Sequence, residues 1–533
     1  MNKTRYTFEK SKSEELVPAI INENKNPSPL HSMIDPKKEA QRLIAANGKG
    51  GFTVLLGLGG GYASEAALEL DSSFVLVIDF DKESVEKLLA AKDYSRLLKN
   101  ERFCLLTDPS NNETLDFILE NYKPALHGGL KMIPLRTRTE HDINNFENAA
   151  KAVQQALDIV TGDYSVQAHF GKRWFSNIIR NIKFYEEKAN NKLTENILKN
   201  KTEEAAIVAA GPSLDCQINS LKKLKSRGVF IICTDTALGA LCSNNIEADA
   251  VVSIDCQHIS CNHFAGINLS KKIPLFLDIA SPPPLSRFDS FSPVLCSSGH
   301  PLARYIGEVW HPFPHLDTSG GNVTYACLSL AETLGAKRIT LFGADFSYIG
   351  ASSYARGTYV YPYFSNRQIR TSSLEAKFSS FLYRSAFLAP ENEEQTYRET
   401  SSLRFYRNKM EEKISAMEAQ VFCEKGFGAP IALKKNNQPP RTSAKREEKH
   451  DAPKTTIGGI EFLSEYKNDI AALPQAKEKE NYFFRLNLKE KRIFTTLLPL
   501  AAFIRKKNAD FDSCETIETV KRFCIGEIEK VLE

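Results

Sequence analysis

The sequence predicts an α/β protein: a Rossmann-like unit at the N-terminus, a second Rossmann-like α/β unit in the middle, and a mostly helical C-terminal part. Three observations predict it. Short runs of β-branched and small apolar residues recur and end at Gly or Asp, as strands covered on both faces of a parallel sheet do. Helical spacing fills the stretches between these runs. Beyond about residue 366 the strand runs cease and helix-prone, charged segments take over.

The first element pair is Gly51-Phe52-Thr53-Val54-Leu55-Leu56 followed by Gly57-Leu58-Gly59-Gly60-Gly61-Tyr62 and an Ala-rich helical pattern. The next strand, Phe74-Val75-Leu76-Val77-Ile78, ends at Asp79-Phe80-Asp81. A Gly-rich turn after one strand and an acid at the end of the next fit a nucleoside-binding unit. The pattern also resembles the S-adenosylmethionine site of methyltransferases, with Asp79 or Asp81 at the ribose. The competing reading is a docking domain whose site is empty. Residues near 145–200 are helical in pattern, and Asn177, Arg180 and Asn181 recur beside Trp174, Phe175 and Ile178 as an interdomain face would.

The middle unit opens at Ala205-Ala206-Ile207-Val208-Ala209-Ala210, an apolar run broken by Gly211-Pro212-Ser213-Leu214. Gly211 allows a close backbone approach, and Pro212 presets the first turn of a helix. Ser213 can cap that helix or donate to a phosphate, since the free N–H groups of a helix start favour anions. Val229–Cys233 and Ala250–Ile254 repeat the strand design, each with a carboxylate just after it, Asp235 and Asp255. At the carboxyl ends of strands these acids can serve a ribose, a base or a cation, or cap the following helices. Thr318-Ser319-Gly320-Gly321-Asn322-Val323-Thr324 before a helical stretch forms a second candidate anion cradle. Lys337 to Phe342 is another strand, ending at Gly343-Ala344-Asp345-Phe346-Ser347-Tyr348, and Ser352-Ser353-Tyr354 follows. Two anion-shaped loops and three strand-end acids on one alternating stretch point to a nucleotide-activated substrate.

These pieces resemble the motility accessory factor (Maf, MptE-like) family of flagellin glycosyltransferases. They are also similar to the bacterial sialyltransferases, which share the Gly-Pro-Ser loop, a Thr-Ser-Gly turn, a Gly-x-Asp-Phe segment and a Ser-Ser-Tyr-like segment in the same order. The match covers roughly residues 200–365. The resemblance implies a sialyltransferase-like central domain. Gly211, Pro212, Ser213, Thr318, Ser319, Gly320 and Gly321, with Asp235 and Asp255, would hold the cytidine monophosphate part of a CMP-sugar. Tyr348 and Tyr354 would bind the leaving phosphate, with Ser347 a rival for the first, and Asp345 would stand among the catalytic groups. The implied donor is a CMP-activated nonulosonic acid of sialic, pseudaminic or legionaminic type, and the acceptor is Ser or Thr of flagellin. No cofactor beyond the donor is required on this reading, and Mg²⁺ stays an option. One departure is plain: the sialyltransferases place a His after the Tyr segment, whereas here no His occurs between His315 and His450. His300, His311, His315, Asp345 and Asp317 are the remaining candidates for the base.

The implied domains are a Rossmann-like domain over 1–150, a helical connector over 151–200, the nucleotide-sugar domain over 201–365, and a helical C-terminal domain over 366–533. A polar, Pro-containing linker interrupts the last at about 430–455 and carries Lys434, Lys435, Arg441, Lys445 and Arg446. A chain of 533 residues with 42% hydrophobic residues has room for several cores. Its net charge of +4 excludes a broad nucleic-acid-binding face. No apolar run is long enough to span a bilayer, and eleven scattered cysteines without CxxC spacing read as reduced thiols of a cytoplasmic protein. Three other functions stay open: a 6-hydroxymethylpterin pyrophosphokinase, a methyltransferase, and a non-enzymatic flagellin-binding protein.

Overall fold

A computed structural model of the chain describes residues 5–21, 26–188, 202–350, 352–390, 394–433, 457–477 and 481–533. Packing divides the chain into two units: Met1–Lys172 with Tyr466–Glu529, and Arg173–Glu465 with Lys530–Glu533. Both are α/β with parallel sheets, as the strand runs predict.

In the first unit, β1 (Tyr6–Lys10), β2 (Leu16–Ile21) and β3 (Pro27–Pro29) form a small antiparallel sheet. The main sheet comprises β4 (Phe52–Leu56), β5 (Phe74–Asp79), β6 (Phe103–Thr107) and β7 (Leu130–Pro134). Its order is β6-β5-β4-β7, with every neighbouring pair parallel. Alternate residues point to opposite faces of a strand, so β4 and β5 must be apolar throughout if both faces are covered. Apart from Thr53, whose buried hydroxyl meets Ser72 Oγ at 2.9 Å, and the strand-end Asp79, they are: Leu55, Val75 and Val77 face one core with Tyr62, Ala66 and Ala67, and Phe52, Val54, Leu76 and Ile78 face another with Ile118 and Phe146.

The second unit holds a seven-stranded sheet built from β8 (Glu204–Val208), β9 (Phe230–Thr234), β10 (Ala250–Ser253), β11 (Ile273–Asp278), β12 (Phe291–Cys296), β13 (Arg338–Phe342) and, beyond a separate antiparallel pair of β14 (Tyr348–Ile349) with β15 (Tyr397–Arg398), β16 (Gln420–Cys423). The order is β12-β11-β10-β9-β8-β13-β16, and all neighbours are parallel. The chain winds outward from β8 to β12, then returns to the far side of β8 with β13. The boundary between β8 and β13 is therefore where the strand order reverses. One face of the sheet, including Ile207, Ile232, Val252 and Leu341, packs on the helix Val323–Thr333 and on Met410 and Ile414 of the helix Ser401–Ala416.

The sequence-based domains and these packing units divide the chain differently. The stretch read as one C-terminal helical domain is shared out: residues up to Glu465 go with the second unit, and Tyr466–Glu529 goes with the first. The physical cause is β16, a four-residue strand that hydrogen-bonds alongside β13 and carries residues after 366 into the central sheet. The connector is one helix, Ile143–Lys188, and residues 189–201 lie outside the described residues, as does most of the expected linker with its basic residues and His450. Among the described residues no helix is long and apolar enough to cross a membrane.

Asn177 and Asn181 act within the second unit. Asn177 Nδ2 donates to the carbonyls of Cys256 and Ala280 at 3.1 and 2.8 Å. Asn181 Nδ2 donates to Ile279 and Ser281, both at 2.8 Å. These amides satisfy backbone carbonyls in the loops that leave β10 and β11, which an apolar side chain would leave bare. Asn181→Leu should therefore cost about 2–4 kcal/mol, the penalty for two buried carbonyls losing their donors. A lowered urea midpoint with unchanged slope is the expected result.

Candidate functional site

A cavity of about 280 Å³ opens at the carboxyl ends of β8 and β13, where ligands of open α/β sheets bind. Ala209, Ala210 and Gly211 wall it from the β8 side, and Gly343 to Tyr348 from the β13 side. Thr234 and Thr236 come from the end of β9, Asn322 to Thr324 from a helix start, and Ser353 and Tyr354 from the loop beyond β14. Arg384, Leu403 and Tyr406 complete it from residues past 366.

The β8 and β13 loops touch backbone to backbone. Gly211 N donates to Gly343 O at 2.8 Å, and Ser213 N donates to Asp345 Oδ2 at 2.8 Å. A Cβ on Gly211 would lie 2.4 Å from both Asp345 Oδ2 and Gly343 O, so glycine is required there by the loop crossing itself. Burial raises the Asp345 carboxyl above its usual range, against the hydrogen bonds from Ser213. Phe346, beside it in the cavity wall, has φ +44°, a left-handed conformation rare for a bulky residue and costly to hold. Ser213 itself is buried, makes no side-chain cap, and accepts from Phe427 N at 2.8 Å through its hydroxyl. Its role at the crossing is structural bracing, and the cavity wall includes neither Ser213 nor Pro212.

The second cradle reaches the cavity through its last three residues, Asn322, Val323 and Thr324, and not through Thr318 to Gly321. Asn322 caps the helix Val323–Thr333 by accepting from Tyr325 N at 3.0 Å. Val323 and Thr324 then present the first N–H groups of an eleven-residue helix, which have no acceptor within the helix and favour an anion. Thr318 to Gly321 lies behind this helix start. Ser319 N and Oγ donate to Asp317 at 3.0 and 2.7 Å, Gly320 packs on the Tyr325 ring, and Gly321, at φ +71°, packs on Tyr406. Burial would raise Asp317, but Ser319 and the Lys413 ammonium, 3.3 Å away, hold it below its usual range.

Asp235 and Asp255 also have partners of their own. Asp235 accepts from Ser253 Oγ at 2.7 Å and from Thr236 N, and Asp255 accepts from Gln257 N at 2.9 Å. Burial raises the Asp255 carboxyl. Tyr348 and Tyr354 both line the cavity. Burial, helped by Tyr359, pushes the Tyr354 phenol up to about 12, so it stays a proton donor at neutral pH. Ser347 Oγ is spent on Asp345 O and Ala429 N, which removes it as a rival to Tyr348.

Three cavity residues escaped the sequence reading, Arg384, Leu403 and Tyr406, and Asn322 was read within the cradle but not as a cap. Ser353 Oγ is buried and, among the described residues, lacks a hydrogen-bond partner, as a group awaiting a ligand would. Ser-Ser-Tyr was visible in sequence, whereas Arg384 and Tyr406 carried no local signal. None of His300, His311 and His315 reaches the cavity wall. His300 packs on Trp174 at 4.2 Å, and His311 meets Tyr185 OH at 3.0 Å and is held low by burial. Among the described residues no group of three or more His, Cys, Asp or Glu side chains is placed to hold a metal ion.

The N-terminal glycine-rich loop is filled by the protein itself. Leu58 N donates to Asp79 Oδ2 at 2.8 Å and Gly60 N donates to His31 Nε2 at 2.9 Å. A Cβ on Gly59 would lie 2.5 Å from His31 Nε2. Asp79 is fully buried and paired with Arg138 at 2.9 Å, and Asp81 caps the helix Lys82–Ala91. The donors and the acid that a nucleoside would need are already bound.

Comparison with known proteins bears on the second unit first. Residues 176–351 match the family model described as MptE-like, 6-hydroxymethylpterin diphosphokinase MptE-like. An uncharacterized protein of Treponema pallidum (strain Nichols) is 31% identical over 168 residues, which is 32% of this chain and 78% of that protein. A second from the same organism is 40% identical over 91 residues, covering 17% of this chain and 32% of its own length. A Maf glycosyltransferase from Magnetospirillum magneticum AMB-1 has a similar solved structure, with TM-score 0.53 and 13% identity, covering 100% of this chain and 92% of that one. The resemblance drawn from the motifs is borne out in family and fold.

The loop crossing makes a definite demand on Gly211. Gly211→Ala forces the two loops apart and should destabilise the second unit by about 1–3 kcal/mol, the range for overpacking. Ser353→Ala, which removes only an unpartnered hydroxyl, should leave the unfolding midpoint unchanged. Denaturant titration of both variants is the measurement.

Proposed function

From its membership of the MptE-like family and the fold it shares with a Maf glycosyltransferase, we propose that the chain is a glycosyltransferase using a CMP-activated nonulosonic acid, with flagellin Ser or Thr hydroxyls as acceptors. The observation that supports this most is the cavity at the β8/β13 reversal, which combines a helix start, an unpartnered buried hydroxyl and two phenols. Phosphate in the donor sits against the N–H groups of Val323 and Thr324 and the hydroxyls of Ser353 and Tyr354. As the glycosidic bond to phosphate breaks, the sugar gains oxocarbenium character and the phosphate gains negative charge. Donors already aimed at that charge need no reorganisation, which is where the rate gain arises. Tyr348 supplies a second phenol. Metal is dispensable on this reading, and full turnover in EDTA is its corollary.

Asp345 takes the acceptor proton. It is the carboxylate in the cavity wall among the described residues, and burial has moved its pKa toward the working range of a base. The Ser213 N–H binds one oxygen and orients the group. Activity should rise with pH as this raised group deprotonates, so the acid limb of the profile stands above the ordinary carboxylate range. Asp345→Asn keeps an oxygen for Ser213 N but cannot accept a proton. Loss of turnover together with that limb is expected; an unchanged profile would remove Asp345 from the role.

The family's description suggests a second reading, transfer of diphosphate from ATP to a hydroxymethylpterin. Such chemistry commonly places Mg²⁺ on several carboxylates, yet Asp235 and Asp255 are engaged with Ser253, Thr236 and Gln257. Thermal unfolding separates the two: CMP raises Tm on the first reading, and ATP with Mg²⁺ does so on the second. Tyr354→Phe then tests the chemistry. Loss of a donor whose bond strengthens in the transition state should lower kcat roughly a hundredfold with little change in KM. Wild-type turnover by this variant, assayed by intact mass of flagellin, would mean that the ring merely packs.

A further inference from the structure

We infer that Arg384 reads the acidic character of the donor, its guanidinium taking the sugar carboxylate while the helix start and Ser353 keep the phosphate. This rests on the glycosyltransferase reading above and adds to it a residue that selects the class of sugar. Arg384 is the cationic side chain in the cavity wall among the described residues. Its guanidinium lies 4.0 Å over the Phe381 ring, and that ring packs on Tyr354 at 6.0 Å between centroids. The stack fixes the charge beside the phenol without using its hydrogen-bond donors.

The neighbouring arginines are differently placed. Arg404 and Arg407 pair with Glu399 at 2.9 and 3.0 Å, and Arg367 stacks on Tyr363 and donates to its carbonyl. Arg384 has no carboxylate within ion-pair distance among the described residues. It also bears electrostatically on Tyr354 and Tyr359, opposing the rise that burial gives both phenols. A cation at the rim and an anion-favouring helix start within one cavity suit a ligand with two negative centres. A 2-keto-acid sugar linked to CMP has them on neighbouring atoms: the carboxylate stands on the carbon that carries the phosphate oxygen. A neutral hexose donor would leave the guanidinium without a partner. The planar fork of Arg, unlike an ammonium, engages both carboxylate oxygens.

Calorimetric titration of the full chain with CMP and with CMP-N-acetylneuraminic acid tests this in the wild type, Arg384→Gln and Arg384→Lys. Arg384 is exposed, so both variants should fold, and their Tm values verify it. The expected result is that Arg384→Gln binds CMP as the wild type does but binds the sugar nucleotide about 10- to 100-fold more weakly, the worth of one charge-assisted contact. Arg384→Lys should recover part of the loss. Equal weakening for both ligands would make Arg384 a phosphate contact and overturn the inference. So would unchanged binding of both, or a wild type that binds the sugar nucleotide no more tightly than CMP. A wild type that binds neither overturns the glycosyltransferase reading along with it.

Discussion

The meeting of the β8 and β13 loops is the constraint on which the second unit's cavity depends. Gly211, Gly343 and Gly428 bring three stretches of backbone together around the Asp345 side chain, and a Cβ on Gly428 would lie 2.5 Å from Asp345. Asp345 fills the junction, held through Ser213 N, while Ala429 N donates to Asp345 O at 2.9 Å. Ala355 N donates to Ala210 O at 2.8 Å, which ties the Ser353–Tyr354 loop to the end of β8. Each contact fixes one wall of the cavity. A carboxylate in this position serves two ends, since the burial that locks the junction also shifts its proton affinity.

The two units repeat one local design with opposite results. In each, a turn that needs glycine follows a strand of a parallel sheet, and an acid stands at or after the end of a neighbouring strand. In the first unit His31 and Asp79 occupy the turn's N–H groups, and Arg138 neutralises the acid from within. In the second the corresponding crevice stays open, because Asp345 braces the turn from the side and leaves the helix start at Val323 facing the space. Fold alone therefore predicts neither ligand nor activity; the difference lies in a few side chains that reach in from elsewhere.

That is also where legibility in the sequence ended. The runs Phe52–Leu56, Phe74–Ile78 and Ala205–Val208 announced buried parallel strands because burial on both faces leaves little room for polar side chains, Thr53 with its Ser72 partner being the exception. Gly211, Asp345, Tyr348 and Tyr354 stand at the cavity because strand-end loops converge there in any such sheet. Ser319 and Gly320 were displaced by a few residues, since a Gly-rich turn and the helix start it serves look alike in one dimension. β16 was missed because four residues of Gln-Val-Phe-Cys carry too little pattern to separate a strand from a helix end. Arg384 and the plugging role of His31 depend on contacts between segments far apart in sequence, and no local period encodes those.

β16 has a consequence for how the molecule comes into being. Sheet closure at β13 waits for residues 420–423, about eighty positions after β13 itself. Until they emerge from the ribosome, β13 is a bare edge rich in Ile, Leu and Phe, the kind of surface that pairs with other chains. Leu403 and Tyr406 of the cavity wall also come late, on the helix Ser401–Ala416. A nascent chain thus holds every recognisable motif well before it holds the complete cavity, and a fragment ended at the last motif would inherit the hazard without the full cavity wall.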